Sequence, residues 1–231
     1  MKSKNQVVII TGGSQGIGFG IASCFAEKKA SLVIADVNEE KAAKACESLK
    51  RKGAQATLAV RCDVTKREEV AALVRATMRR FKRIDVLINN AGICPFIEIM
   101  EMTGEAWGRT LDVNLTGAFH CTQAVASEMI KARKGGRIIS ITSLSENVTD
   151  SNQVDYGASK AGLKMTMAGF CAALGKHGIT CNAIAPGAVL TDADDARIEE
   201  LARSKGISRK EADRQFLDGK EVSKDVRAAA Q

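Results

Sequence analysis

The sequence VVIITGGSQGIG, residues 7–18, joins a short run of β-branched residues to a glycine-rich segment. The run at residues 7–11 is typical of a buried parallel strand, and the apolar periodicity after it predicts a helix over residues 16–29. A strand, a glycine turn and a helix start in this order form an anion site, because the backbone approaches a phosphate closely and amide groups point at it. The segment therefore predicts the first strand–helix unit of a nucleotide-binding α/β fold.

The second predicted strand, residues 31–35, ends at Asp36, about 20 residues after the glycine segment. A carboxylate at this position accepts hydrogen bonds from an adenosine ribose and repels a 2′-phosphate. Gln15 stands where an Arg or Lys would attract such a phosphate, and the sequence shows no cation nearby, so NAD(H) is favoured over NADP(H). The alternative interpretation is that Asp36 caps the helix beginning near Glu39, a role that Asn38 could equally fill.

Strand–helix units repeat along the chain. The sequence predicts helices over residues 39–52 and 66–81 and strands over residues 56–61, 84–88 and 136–142. This alternation predicts one α/β domain over residues 1–231, a Rossmann-type doubly wound parallel sheet with helices on both faces. A long helix is predicted over residues 105–131, with Asn114 inside an apolar stretch. Asn114 is either a satisfied residue at a helix kink or a group of the functional site.

The composition is ordinary for a globular chain, with an excess of positive charge. Its 231 residues are 45% hydrophobic and 26% charged, and the net charge is +7. The basic clusters at residues 50–52, 79–83 and 131–134 fall at predicted helix C-termini, where the helix dipole favours cations. An aromatic content of 4% provides no stacking surface for single-stranded nucleic acid. Nucleic-acid binding is therefore not expected, and no apolar run approaches the roughly 20 residues of a membrane span.

Cysteines and histidines do not form a metal-binding pattern. Seven cysteines are scattered along the chain, and the two histidines, His120 and His177, are far apart. No metal site is expected from this spacing. An odd, dispersed set of cysteines indicates free thiols in a reducing compartment, so we expect a cytoplasmic protein.

A second informative stretch is SLSENVTDSNQVDYGASK, residues 143–160. Tyr156 is the only tyrosine of the chain, and Lys160 follows it four positions later, so a helix here places both side chains on one face. Ser143 follows the strand predicted at residues 136–142. These three groups could converge to form a proton-transfer site, in which the phenol is the acid or base and the ammonium lowers its pKa.

Several motifs of the chain resemble those of the short-chain dehydrogenase/reductase family. They are TGGSQGIG (11–18), DV (63–64), NNAG (89–92), Asn114 in VNLTGAF, Ser143, YGASK (156–160) and PG (186–187). The resemblance implies a nicotinamide-dependent oxidoreductase with the tetrad Asn114, Ser143, Tyr156 and Lys160. Tyr156 would be the general acid/base and Ser143 would hold the substrate oxygen. Lys160 would bind the nicotinamide ribose, and Asn114 would hold a water in a proton relay.

The resemblance also implies which residues contact NAD. These are the glycine-loop residues Gly12, Ser14, Gln15, Gly16, Ile17 and Gly18, together with Asp36, Asp63, Val64, Asn90, Gly92, Tyr156, Lys160, Pro186, Gly187, Val189 and Thr191.

The segment between Ser143 and Tyr156 is unusually polar, and it includes Ser145, Glu146, Gln153 and Asp155. Ser145, Glu146 and Gln153 are candidate substrate contacts, and their polarity suits a sugar or polyol, the substrates of one branch of the family. The alternative is that these residues are solvated loop positions.

The C-terminal part predicts helices over residues 192–205 and 208–217, which resemble the family's substrate lid, here placed at residues 192–220. The family normally continues with a further helix and a seventh strand that commonly form a subunit interface, and this last strand is apparently missing from the sequence. The resemblance implies a homo-oligomer, a dimer or tetramer, if that element is present. An alternative function is a catalytically weak or inactive NAD-binding protein that acts through association.

Overall fold

The computed structural model describes residues 5–187, 189 and 192–217. Fourteen main elements follow one another: β1 (Val7–Thr11), α1 (Gly16–Glu27), β2 (Ser31–Asp36), α2 (Glu39–Arg51), β3 (Ala56–Arg61), α3 (Arg67–Phe81), β4 (Val86–Asn89), α4 (Gly104–Leu111), α5 (Gly117–Ala132), β5 (Gly136–Ile141), α6 (Val154–Leu174), β6 (Ile179–Ile184), α7 (Asp192–Lys205) and α8 (Arg209–Leu217). A π-helical turn (Asp112–Thr116) joins α4 to α5, and 3₁₀ turns cover Leu144–Glu146 and Gly175–His177.

The six strands form one parallel sheet in the order β3-β2-β1-β4-β5-β6. The chain runs outward from β1 to one edge and then returns to build the other half, which is the doubly wound arrangement predicted from the sequence. All strands point the same way, so their carboxyl ends share one edge of the sheet. The glycine segment, Asp36 and Ser143 therefore lie along that edge, and the Rossmann-type fold is confirmed.

Alternate side chains of the central strand β1 pack into two separate hydrophobic cores, one on each face of the sheet. Val7 and Ile9 pack with residues of α3, α5 and α6 on one face, whereas Val8 and Ile10 pack with residues of α1 and α2 on the other. Ile9 and Ile10 are both fully buried, and each such side chain stabilises the fold by roughly 1.5–3 kcal/mol. The β-branched run is apolar throughout because both of its faces are covered.

The element bounds differ from the sequence predictions at only a few places. The helix predicted over residues 105–131 is interrupted by the π-helical turn, which contains Asn114. Strand β4 begins at Val86 rather than at residue 84, and the Asp85 carboxylate before it accepts a hydrogen bond from the Val7 amide at 2.8 Å. Within the described residues no helix is long and apolar enough to cross a membrane. The expected continuation after residue 217 lies outside the described part of the chain.

Candidate active site

A cleft of about 880 Å³ opens along the carboxyl edge of the sheet. Its walls combine the glycine segment, the end of β2, the loop after β3 and the NNAG motif after β4. The lining includes Gly12, Gln15, Gly16, Ile17, Asp36, Asp63, Val64, Asn90 and Gly92, all of which were predicted to contact a dinucleotide. The topology brings these separated motifs together because each follows a strand of the same parallel sheet.

Close backbone approach explains two of the glycines. A Cβ atom at Gly18 would lie 2.3 Å from the Gly12 carbonyl oxygen, so α1 approaches the loop more closely than any side chain allows. Gly12 itself has a φ of +60°, which L-residues rarely adopt. These positions keep the backbone of the loop bare, as close contact with a pyrophosphate requires.

Asp36 holds the loop side of the cleft rather than capping a helix. Its carboxylate accepts hydrogen bonds from the Ser14 hydroxyl at 2.5 Å and from the Asn38 amide at 3.1 Å. The cap of α2 is Asn38, whose side chain accepts a hydrogen bond from the Lys41 amide at 2.9 Å. Asp36 is therefore free of the capping role, and its carboxylate lines the cleft.

Lys41 places a cation beside this position, contrary to the expectation that none is near. Its Nζ atom donates to Gln15 Oε1 at 2.8 Å. The expectation was wrong because Lys41 lies on a different helix from Gln15, and only the packing of α1 and α2 brings the two side chains together.

Two further motifs frame the cleft. The Asn90 side chain donates to the carbonyl oxygens of Thr11 and Gly12 at 3.0 and 2.9 Å, which ties the end of β4 to the glycine loop. Asp63 accepts hydrogen bonds from the amide and hydroxyl of Thr65 at 3.0 and 2.8 Å, which shapes the turn after β3. Both motifs position the walls of the cleft.

Asn114 and Lys160, two of the four tetrad positions, lie next to the cleft. A Cβ atom at Gly92, which lines the cleft, would lie 3.2 Å from Asn114 Oδ1 and 3.6 Å from Lys160 Nζ. Lys160 is on the same face of α6 as Tyr156, and its Nζ atom lies 5.4 Å from the centre of the tyrosine ring. The Lys160 ammonium donates to the Ile141 carbonyl oxygen at 2.8 Å, at the end of β5.

Burial shifts the pKa values of this pair in opposite directions. It lowers the pKa of the Lys160 ammonium to about 8. It also raises the pKa of the Tyr156 phenol above its ordinary value, and this effect exceeds the lowering by the hydrogen bond with Ser143. The lowered tyrosine pKa expected from the lysine is thus not produced by the protein alone, because desolvation of the phenolate dominates. Opposed shifts at the end of a cleft are typical of a proton-transfer site.

Asn114 lies in a helix irregularity and is the tetrad position that contacts Ile93 and Ser159. It is 1% exposed and lies in the π-helical turn. Its Oδ1 accepts from the Ile93 amide at 2.8 Å, and its Nδ2 donates to the Ile93 carbonyl at 2.8 Å and to the Ser159 hydroxyl at 3.0 Å. π-Helical turns often occur at functional sites, and here the turn brings the asparagine between the NNAG loop and α6.

The predicted substrate contacts occupy different environments. Ser145 lies beside Ser143, with the two hydroxyl oxygens 3.2 Å apart. Glu146 pairs with Lys164 of α6 at 2.8 Å, and its side chain is only 6% exposed. Burial raises the pKa of Glu146, but the hydrogen bond with Lys164 and others lower it further, to below its ordinary value. Gln153 precedes the first residue of α6, and a substrate role for all three residues stays a prediction.

Exposed apolar side chains lie on the two loops that follow β4 and β5, which we refer to as the mouth of the site. Leu144 and Val148, on the loop after β5, are 59% and 79% exposed. On the loop after β4, Phe96, Ile99 and Met100 are also exposed. The two loops are joined by backbone hydrogen bonds from Ile97 to Asn152 and from Ile99 to Ser151, each 3.0 Å long. The mouth is therefore less polar than the sequence between Ser143 and Tyr156 indicated.

The remaining predicted contacts follow β6. The Pro186 carbonyl accepts a hydrogen bond from the Leu144 amide at 3.2 Å, and a Cβ atom at Gly187 would lie 3.5 Å from Leu144. This places the segment next to Ser143. Val189 is partly buried, and Thr191 lies outside the described residues.

Sequence reasoning did not identify several neighbours of the site. The Cys94 side chain is close enough to interact electrostatically with both Tyr156 and Lys160, and at Lys160 this interaction opposes the burial that lowers the pKa. Lys164 and Lys41 also escaped notice, because a solvated lysine on a helix gives no signal of its own. Only the tertiary packing shows that Lys41 meets Gln15 and that Lys164 meets Glu146.

Comparisons with known proteins agree with this geometry. The family model for short chain dehydrogenases matches residues 6–202. An L-rhamnose 1-dehydrogenase (NAD(P)(+)) of Sphingomonas sp. is 35% identical over 189 residues, covering 82% of this chain and 74% of the relative. A 3-oxoacyl-[acyl-carrier-protein] reductase of Synechocystis sp. is 38% identical over 187 residues, covering 81% and 75% of the two chains.

The crystal structure of gox2181 is similar over 94% of this chain and 89% of that chain, with a TM-score of 0.81 and 31% sequence identity. The named relatives are enzymes, which does not favour the alternative of a non-catalytic dinucleotide-binding protein. The chain belongs to the short-chain dehydrogenase family, and it is an oxidoreductase that acts on CH–OH groups with a nicotinamide cofactor.

Proposed function

We propose that this protein is an NAD(H)-dependent oxidoreductase that moves a hydride between the nicotinamide and a secondary alcohol or carbonyl carbon, with Tyr156 as general acid/base. The observation that carries the proposal is that Lys160 and Asn114 meet beside Gly92, which lines the cleft, while the Lys160 ammonium also lies next to the Tyr156 ring. A single phenol next to a buried ammonium suits proton transfer to or from a substrate oxygen.

The cleft fits a nicotinamide dinucleotide. The bare backbone at Gly12 and Gly18 accepts a pyrophosphate at the N-terminus of α1, and Asp36 accepts the adenosine ribose. Asp63 and Val64 wall the adenine end, whereas Pro186, Gly187 and Val189 approach Ser143 at the other. When bound, the nicotinamide ring supplies the hydride acceptor and, in its oxidised form, a positive charge.

The chain's own residues handle the proton. In the oxidative direction, the Tyr156 oxygen takes the proton of the substrate hydroxyl while the Ser143 hydroxyl donates to the same substrate oxygen. Lys160, held by Ile141, binds ribose hydroxyls and stabilises the phenolate. Asn114, at the π-helical turn, holds a water through which the proton leaves the site.

We propose a preference for NAD over NADP. The Asp36 carboxylate repels a 2′-phosphate, and it is locked toward the ribose position by Ser14. Lys41 weakens this discrimination, since its ammonium sits 2.8 Å from Gln15 on the same side of the cleft. The preference for NAD therefore requires that the close Asp36 carboxylate repels a 2′-phosphate more strongly than the more distant, solvated Lys41 ammonium attracts it.

A sugar or polyol is the proposed substrate class. The polar side chains of Ser145 and Gln153 beside the tetrad offer hydrogen bonds to several hydroxyl groups. The similarity to a protein named as an L-rhamnose 1-dehydrogenase supports the same class.

A second candidate substrate class follows from the apolar mouth. Leu144, which directly follows Ser143, is 59% exposed, and Val148 on the same loop is 79% exposed. Such side chains favour a carbonyl substrate that carries an apolar tail. The similarity to a protein named as a 3-oxoacyl-[acyl-carrier-protein] reductase agrees with this candidate.

The free cysteines support a reducing, cytoplasmic setting. No two of the seven cysteines form a disulfide within the described residues. Cytoplasmic proteins keep their cysteines reduced, so we propose that the enzyme works there.

The test is NAD(+) reduction and NADH oxidation by the whole protein with sugars, polyols, hydroxy acids, steroid alcohols and 3-oxoacyl thioesters, with the Tyr156→Phe variant as control. We expect turnover of a sugar or polyol that falls about 10²–10⁴-fold in the variant, because this is what one acid/base group typically contributes. Turnover that survives the substitution would refute the assigned role of Tyr156. Bound NADH without turnover of any of these substrates would refute the proposed reaction.

A further inference from the structure

Two buried hydrogen bonds join helix α6 to the segment formed by α4 and the π-helical turn. The Thr110 hydroxyl donates to Asp155 at 2.6 Å, and the Asn114 amide donates to Ser159 at 3.0 Å. Thr110 and Asn114 are four residues apart, as are Asp155 and Ser159, so the bonds occupy consecutive turns of both partners. We refer to these two hydrogen bonds as the brace.

The two α6 residues of the brace, Asp155 and Ser159, both form hydrogen bonds with the backbone of Tyr156. The Asp155 carboxylate accepts the Tyr156 amide hydrogen at 2.8 Å, and the Ser159 hydroxyl donates to the Tyr156 carbonyl at 2.7 Å. The two residues that hold the tyrosine backbone are thus the two that are tied to the neighbouring segment. The position of Tyr156 follows that of α4 through these contacts.

Burial of the Asp155 carboxylate costs desolvation free energy. Its side chain has no exposure to solvent, and its described partners are a hydroxyl and an amide rather than a cation. The location in the first turn of α6 reduces the penalty, since the helix dipole favours a negative charge there. A buried carboxylate adds little stability compared with an apolar residue of similar size. The contribution of Asp155 is therefore to fix the position of the first turn of α6.

We propose that Thr110 and Asp155 are positioning residues for the proton transfer by Tyr156. Their hydrogen bond fixes the first turn of α6, and this holds the phenol in register with Ser143 and the substrate oxygen. The proposal rests on the acid/base role of Tyr156 proposed above. The hydrogen bonds of the two side chains go to each other, to the Ala106 carbonyl and to the Tyr156 amide rather than to the glycine segment or Asp36, so we expect binding of the adenosine end of the cofactor not to depend on the pair.

The experiment compares Thr110→Val with Thr110→Ser. Valine has the shape of threonine without the hydroxyl, whereas serine keeps the donor. Thr77→Val is a matched control, because Thr77 is also a buried helical threonine, bonded to the Leu73 carbonyl at 2.9 Å, but lies in α3 away from the site. The measurements are kcat, KM, the NADH dissociation constant, the solvent deuterium isotope effect on kcat, and hydrogen exchange of the Tyr156 amide.

For Thr110→Val we expect kcat to fall about tenfold, because displacement of a catalytic group by a fraction of an ångström slows the reaction strongly. The solvent isotope effect should rise as proton transfer becomes limiting, and the Tyr156 amide should exchange faster. NADH affinity should stay within about twofold, and Thr110→Ser and Thr77→Val should match the wild type.

Equal kcat, isotope effect and amide exchange in Thr110→Val and Thr110→Ser would overturn the proposal. Loss of function to the same degree in Thr77→Val would also overturn it, since the effect would then be general destabilisation. A wild-type protein that turns over none of the substrates tested would refute the proposed function instead. In that case exchange of the Tyr156 amide alone decides whether the hydroxyl of Thr110 holds the tyrosine backbone.

Discussion

Lys160 is 4% exposed and meets a single described acceptor, the Ile141 carbonyl. Its ammonium is removed from water, and the burial penalty lowers its pKa to about 8. The folded protein therefore holds this proton more weakly than the unfolded chain does. Lys160 therefore lowers the stability of the fold, but it places a positive charge beside the Tyr156 phenol. Residues at functional sites often reduce stability in this way.

Replacing Lys160 should separate its cost to stability from its use as a positive charge beside Tyr156. For Lys160→Met we expect a free energy of unfolding higher by about 2 kcal/mol at neutral pH, because the burial penalty of the ammonium disappears. The advantage should shrink as the pH rises from about 8 toward 10.5, where folded wild-type protein holds a neutral lysine. Urea unfolding of both proteins across this range measures it. A variant less stable than wild type at every pH would show that the hydrogen bond to Ile141 outweighs the burial penalty.

Cofactor choice is also decided by single residues. For Asp36→Ala we expect KM for NADP(+) to fall about tenfold, because the carboxylate no longer repels the 2′-phosphate. Adding Lys41→Met to this variant should reverse the gain while leaving KM for NAD(+) unchanged, and Lys50→Met, farther along α2, is the control. An unchanged KM for NADP(+) on removal of Lys41 would exclude the lysine as a phosphate contact.

Helix α1 owes its place in the fold to a close approach. Gly18 and Gly20 are both in this helix, but a Cβ atom at Gly18 would meet the Gly12 carbonyl oxygen, whereas one at Gly20 would meet nothing within 4 Å. The same substitution at the two positions should therefore have opposite effects.

For Gly18→Ala we expect a loss of about 1–3 kcal/mol of unfolding free energy and at least about tenfold weaker NADH binding, since the helix must move away from the loop. Gly20→Ala should instead stabilise the protein by about 0.5–1 kcal/mol, the gain in helix propensity. Thermal unfolding and NADH titration provide both numbers. Similar behaviour of the two variants would contradict the close-approach account of Gly18.

The elements themselves were largely predictable from the sequence. Strands such as β1 and β3 were predicted correctly because period, composition and flanking turns all agree there. The π-helical turn was not predicted, since its local pattern is helical and its cause is tertiary: Asn114 must meet both Ile93 and Ser159. The same limit applies to Asp155, which reads as a polar loop residue in sequence but is buried against Thr110.

At the scale of the whole molecule, the order of motifs specified the sheet and therefore which residues converge. The cleft could be located because each of the motifs that line it follows a strand of one parallel sheet. The apolar mouth and the cation at Lys41 could not, because they depend on how loops and helices pack around that sheet. Residues 218–231 lie outside the described structure.

The assembly of the protein is expected to follow from an exposed strand. Strand β6 is at the edge of the described sheet, and Ile184 on it is 51% exposed. An edge with apolar side chains favours association, so we expect a homodimer or homotetramer in sedimentation velocity experiments. A 24.6 kDa monomer at every concentration would contradict this expectation.

The claim that Tyr156 handles the proton under control of the bound cofactor can be tested directly, because Tyr156 is the only tyrosine of the chain. Ultraviolet titration of phenolate formation, with Tyr156→Phe as a tyrosine-free blank, reports this group alone. We expect its pKa to lie above the ordinary value of about 10 in the protein alone and to fall below that value with saturating NAD(+). A tyrosine pKa that does not move when NAD(+) binds would contradict the account.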